Sequence, residues 1–242
     1  MCKFFSLVSD GKGKPMYFDY KIRNKILNKE LSYELDSHTS IADYYGFKGA
    51  KEDTLNKYEY NPLTKVFETD QLNTTDDSKD IKKFCEGLNF KLIVPELIIK
   101  PIIHPFKDRS ITKVSKEDIE LLKEWASVWD SVRASVGDSV GDSVGDSVRA
   151  SVWDSVRASV GDSVWASVWA SVGASVRDSV GAYVSTFLDI KYKYDFSSSN
   201  KLWEKGIVPS FDGTNWRLHG KDGKIIFTIS KEDLKNSLST KG

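Results

Sequence analysis

Cys2 occupies the position that most directly suggests chemistry. Once an initiator methionine is removed, its thiol stands beside its own α-amine, the nucleophile-and-base pair of N-terminal hydrolases and transferases. A cysteine that packs within a strand is the plainer alternative. Asp36-Ser37-His38-Thr39-Ser40 gathers an acid, a base and hydroxyls into one short run. Catalytic triads, however, converge from distant positions, and Ser40 with Asp43 has the spacing of a capping box for a helix over IADYYG. Helix initiation is the expected role of this segment, with His38 its most notable polar side chain. SDGKGKP carries Gly11, Lys12, Gly13 and Lys14 but lacks the GxxxxGK[ST] pattern, so it reads as a hairpin turn. His104 and His219 look structural, and scattered histidines with Cys2 and Cys85 have no metal-ligand spacing. We expect no metal and no cofactor. Lys100, Lys107, Arg109 and Lys113 cluster in sequence, and a solvated face is their default reading.

Composition narrows the partners. Lys+Arg and Asp+Glu both number 35 in 242 residues, which disfavours a nucleic-acid binder that relies on bulk charge. Two cysteines make no disulfide framework and fit a reducing compartment. The longest apolar stretch, Leu92 to Ile103, is broken by Glu96, Lys100 and two prolines, so no membrane partner is expected and the chain reads as soluble and cytoplasmic.

Three regions would position these residues. An N-terminal α/β domain, 1–110, opens with CKFFSLV and MYFDY as a hairpin, followed by a helix through KIRNKILNKEL. KYEYNPLTKVFETD reads as a second hairpin turning at Asn61-Pro62, and a helix through DIKKFCEGL is capped by Asp76, Asp77 or Ser78. Prolines 95, 101 and 105 favour extended chain beyond it. A C-terminal α+β module, 189–242, comprises a strand over LDIKYKYDF, a helix over NKLWEKG ended by Gly206, a hairpin around Gly220 to Gly223 and a last helix capped by Ser230 and Asp233.

Between them, 115–188 is an array. A capping box at Ser115 and Asp118 starts a helix that runs into fourteen tetrads of the form [AD]-S-V-[WRG], Ala126 to Gly181. A period of four rules out direct assignment to the five-residue β-helix. In an α-helix each stripe would drift by about 40° per tetrad, leaving no lasting apolar face. As a strand, alternate residues share a face and Val is favoured, which keeps a β-solenoid open as the alternative. Helical flanks and Asp-to-Arg pairs at i,i+3 tip the balance to helix, with a break expected at glycines 137, 141 and 145 and hence a helical hairpin.

Trp, Arg and Gly share no chemistry, yet all have codons ending in GG. The array is therefore most simply a tandemly copied 12-nucleotide unit. Displayed on a constant Ser-Val scaffold, Trp129, Arg133, Arg149, Trp153, Arg157, Trp165, Trp169 and Arg177 are the candidate binding residues, since Trp and Arg dominate binding hot spots. A spacer whose tryptophans merely pack is the bland alternative.

CKFFS at the start, the DSH of DSHTSIADYYGF, KYEYNP, and LWEKGIVPSFDGTNWRLHG near the end resemble uncharacterised bacteriophage and metagenomic proteins. These join a C-K-F-x-S / D-S-H domain to short repeats rich in Trp, Arg and Gly. The resemblance implies a phage or mobile-element origin, hence a host-cell cytoplasm, and no catalytic residue. Class II glutamine amidotransferases begin Met-Cys-Gly and are similar at Cys2 alone. We expect a non-enzymatic α+β protein that binds an unknown protein partner or itself through the array. The alternative is an N-terminal-cysteine hydrolase or transferase with the array as spacer.

Overall fold

Local sequence signals translate directly into elements in a computed structural model of the chain. It describes residues 5–132, 152, 153, 155–189 and 191–236, with only the backbone of 130, 132 and 169–172. The fold is mixed α+β with two antiparallel sheets. Two compact units divide it: one takes the chain as far as Pro101 with a segment ending at Ser155, the other resumes at Ile102 and again at Val156.

In the first unit β1 (Phe5–Ser9) pairs with β2 (Pro15–Met16), and β3 (Asn56–Asn61) with β4 (Val66–Gln71), giving the order β2-β1-β3-β4. Both expected hairpins are present. Helix α1 (Tyr20–Leu27) is capped by Asp19, and α2 (His38–Tyr44) packs with it on one face, where Val8, Phe18, Ile41, Ala42 and Leu55 form the core. The opposite face is aromatic, with Phe5 and Tyr60 against Phe90, and it carries α3 (Ser78–Gly87). Both faces are covered, so all of β1 is buried.

Asp77 stands at the N-cap of α3, as expected, but its side chain does not cap it. It turns inward and accepts hydrogen bonds from Ser9 Oγ, Gly13 N (2.8 Å), Asn56 Nδ2 (3.0 Å) and Tyr58 OH (2.6 Å). Burial alone would raise the pKa of this carboxyl; the four donors outweigh burial and hold it below the usual range. The glycine-rich turn is shaped around the same point. Gly11 has φ +80°, and a Cβ there would lie 2.8 Å from Thr74 Cγ2.

In the second unit α4 (Lys116–Val132) carries the Ser115/Asp118 capping box, Asp118 N donating to Ser115 Oγ at 3.2 Å. The array contributes α5 (Asp162–Ser185), entered through a π-helical turn at Arg157–Gly161. Among the described residues no strand falls inside the array, so the β-solenoid expectation is not met. Next come α6 (Ser197–Lys205), β5 (Val208–Phe211), β6 (Asn215–His219), β7 (Ile225–Ser230) and α7 (Lys231–Asn236), with sheet order β5-β6-β7. Trp125, Trp129, Ala182, Leu202, Trp216 and Leu218 share one core. Tyr183 stacks on Trp203 at 4.7 Å, and the two rings pin Ile103 through Tyr183 OH to its N–H (2.7 Å) and Trp203 Nε1 to its carbonyl (2.9 Å).

Two expectations need correction. LDIKYKYDF alternates, but its described residues form no strand; Tyr192 and Tyr194 pack on the core from irregular chain. Helix α2 begins one residue after Ser37, whose Oγ accepts from Ser40 N, so Ser37 is the cap and Ser40 instead accepts from Glu34 N at 3.1 Å. The glycine breakpoint at 137, 141 and 145 lies outside the described residues.

Candidate functional site

Each letter of the tetrad has its own environment. Val152, Val156, Val160, Val164, Val168, Val176, Val180 and Val184 are all buried, despite the drift that an ideal helix imposes on a four-residue row. The π-helical turn counters that drift: its wider i→i+5 spacing inserts a residue and turns the row back by about 100°.

Two of the serines meet a strand edge. Ser175 Oγ accepts from Phe211 N (2.8 Å) and donates to Phe211 O (3.3 Å), and Ser179 Oγ donates to Pro209 O (3.1 Å). Four helical residues rise about 6.0 Å and two strand residues about 6.6 Å, so a tetrad on α5 keeps step with alternate residues of β5. Successive serines therefore satisfy the backbone that β5 exposes at the sheet edge.

At the fourth position the cations are open, whereas the glycines range from half-buried Gly173 to buried Gly161 and Gly181. Gly161 and Gly181 are buried, and a Cβ on Gly161 would stand 3.2 Å from Arg157 Cγ and 3.5 Å from Val180 Cγ1. Arg157 is exposed and its Nε donates to Asp162 at 2.9 Å. Arg177 is exposed, with its guanidinium 5.2 Å from the centre of the half-buried Trp165 ring. Trp153 is half-buried. Trp129 belongs to the interior, edge-on to Trp216 at 5.5 Å and Phe211 at 5.2 Å. Arg133, Arg149 and the Trp169 side chain lie outside the described residues. Of the binding candidates, the structure brings together Trp165 and Arg177.

Of the two catalytic candidates, only His38 falls among the described residues. Cys2 lies outside the described residues. Cys85 is a buried thiol pushed up to about 12, poorly suited to form a thiolate. His38 is buried, its Nε2 donating to Tyr58 O at 3.0 Å and its Nδ1 3.7 Å from Asp70 Oδ2. Its neighbour Asp36 is engaged in a buried bidentate pair with Arg23 at 2.7 and 2.9 Å. The DSHTS residues thus serve an ion pair, a cap and a strand contact.

Sequence reasoning missed a serine–histidine pair, because Ser210 lies in an unforeseen strand. Ser210 Oγ is 2.7 Å from His219 Nε2, and His219 Nδ1 is 3.0 Å from Gly223 O. A carbonyl only accepts, so Nδ1 carries the proton and Nε2 accepts from the serine. The relay has the form of an activated nucleophile, but Ser210 is 0% and His219 4% exposed, so it locks the strands to their turn. Burial, aided by the Arg217 charge and opposed by the bond to Gly223, lowers the His219 pKa. The unfolded state then takes up a proton first, so stability falls as pH drops below about 6.5, with a slope of up to about 1.4 kcal/mol per pH unit. His104, buried in the same unit, is lowered chiefly by burial too. Chemical denaturation followed by tryptophan fluorescence between pH 7 and 5 should show this loss, and His219→Asn should reduce the slope by about half.

Also unforeseen is an open cleft of ≈ 870 Å³ beside α2, lined by Lys29, Ser32, Tyr33, Glu34, Thr39 and Ser40 among others. Thr39 Oγ1 already donates to Glu52 at 2.9 Å, and the cleft contains no cysteine or histidine. Among the described residues no group of three His, Cys, Asp or Glu is placed to hold a metal ion, and no helix is long and apolar enough to cross a membrane. Set against known protein families, curated proteins and solved structures, the chain finds no match.

Proposed function

We propose that the protein acts by binding, as a structural or interaction protein whose tetrad array is an expandable scaffold. The observation that carries this reading is the division of labour within α5. Val is committed to the interior and Ser175 and Ser179 to a strand edge, whereas Trp165 and Arg177 meet as an aromatic–cation pair toward solvent. Such pairs are favoured in protein recognition. The resemblance of the termini to phage proteins fits an accessory factor that engages a protein of its host's cytoplasm.

A helical hairpin is further read within the α5 span, a different place from the break expected at glycines 137, 141 and 145. Nineteen residues of straight helix span about 28 Å, yet Val180 Cγ1 approaches to 3.5 Å of the Gly161 Cβ position, which supports a reversal within the α5 span. A reversal there sets Val164 opposite Val176 and Val160 opposite Val180. Short arms also answer the drift: over three tetrads the Val row turns about 80°, within the ≳ 100° width of an ordinary apolar face.

The test is removal of residues 134–145, three whole tetrads, from the full chain. Far-UV circular dichroism should retain the helical signal, and the tryptophan unfolding transition should persist. Affinity for a protein that co-purifies with the intact chain should fall, and Trp165→Ala with Arg177→Ala should lower it about 30-fold. Unchanged affinity in both variants would assign the array a spacer role.

A further inference from the structure

Three of the four sheet edges in the two units carry a protective device. β2 has two residues and starts at Pro15; β4 presents Glu68 and Asp70; β5 is covered by Ser175 and Ser179. β7, Ile-Ile-Phe-Thr-Ile-Ser, has no charge and no proline, and among the described residues it pairs with β6 alone. Ile225 is 53% exposed, and Phe227 and Ile229 are themselves only partly buried where they pack on the core.

The geometry points to a second copy of this chain as the occupant of that edge, in an antiparallel β7–β7 pair about a two-fold axis at Thr228. The register with β6 shifts between Leu218 and His219, so the regular part of β7 runs from Phe227. Centred on Thr228, Phe227 falls opposite Ile229 of the second copy. Within one copy Phe227 is opposite Leu218 and Ile229 opposite Trp216, both buried. The pairing therefore continues one apolar row from Leu218 and Phe227 across to Ile229 and Trp216 of the other copy. Aromatic against β-branched is a favourable cross-strand pair. The two-fold also brings exposed Lys224 of each copy toward exposed Glu232 of the other. A foreign strand would need to supply each of these complements, which a second copy already has. The ladder is short, so the dimer is weak and concentration-dependent.

Thr228 is exposed and faces itself across the axis, which gives a specific test on the full chain. Sedimentation velocity over a concentration series should show the wild type passing from monomer to dimer. Thr228→Lys and Thr228→Glu should each weaken association about fivefold, by placing like charges opposite each other, while circular dichroism stays unchanged. An equimolar mixture of the two variants should recover association. A wild type that stays monomeric, variants that dimerise like wild type, or a mixture that fails to recover would each overturn the assignment.

Discussion

Asp77→Ala destabilises the first unit by about 3–5 kcal/mol, because several buried donors lose their acceptor at about 1–3 kcal/mol each. The carboxylate is the common acceptor for two β-strands, the glycine turn and the side chain of Asn56. Its loss leaves the Ser9 hydroxyl, the Tyr58 hydroxyl and one Asn56 N–H without that acceptor in a buried site. Asn56 is otherwise satisfied, donating to Thr75 O at 2.7 Å and accepting from Asn73 N at 2.8 Å, so the damage centres on the Asp77 contacts. Hydrogen exchange at the amides of β1 and β3 reads the effect, because these strands hold Ser9, Asn56 and Tyr58. Asp77→Asn should cost less, since it keeps two or three of the four contacts while replacing one acceptor oxygen by a donor. Equal exchange in the alanine variant and wild type would mean that the network adds nothing to stability.

Replacing Ser175 and Ser179 together by alanine should cost the second unit about 3–5 kcal/mol. Three backbone groups of a part-buried edge lose their partners, each worth about 1–3 kcal/mol when left unsatisfied. Alanine otherwise suits a helix better than serine, so a merely decorative serine row would give a neutral or stabilised variant. The sign of the change in urea midpoint, followed by tryptophan fluorescence, therefore decides between the two. Ser167→Ala serves as the comparison: its hydroxyl donates to Ser163 O in its own helix at 2.8 Å, and its replacement should be nearly neutral.

Signals contained within a few residues were legible in the sequence. Ser115 with Asp118, Ser230 with Asp233, the Asn61-Pro62 turn and the stop at Gly206 all act locally, and each appears where its chemistry places it. β5 was not legible, because Pro209 lies in it and proline demotes a strand. Only an edge that asks the proline for its carbonyl alone could accept it there, and Ser179 is that edge. Asp77 was read as a cap because four donors from distant segments leave no mark on its neighbours. The buried valines were missed for a related reason: ideal-helix arithmetic omits the π-helical turn at Arg157–Gly161.

The match between four helical and two strand residues makes the array behave as a vernier. Slippage of the gene by one whole repeat slides hydroxyl onto hydroxyl and methyl onto methyl, and the strand edge meets the same surface as before. Slippage by a single residue would present valine to Pro209 and Phe211 in one direction, and alanine or aspartate in the other. The two scales differ by about 0.6 Å per step, so coincidence persists for only a few tetrads. A whole-tetrad change in array length would thus leave unchanged the surface that meets the sheet.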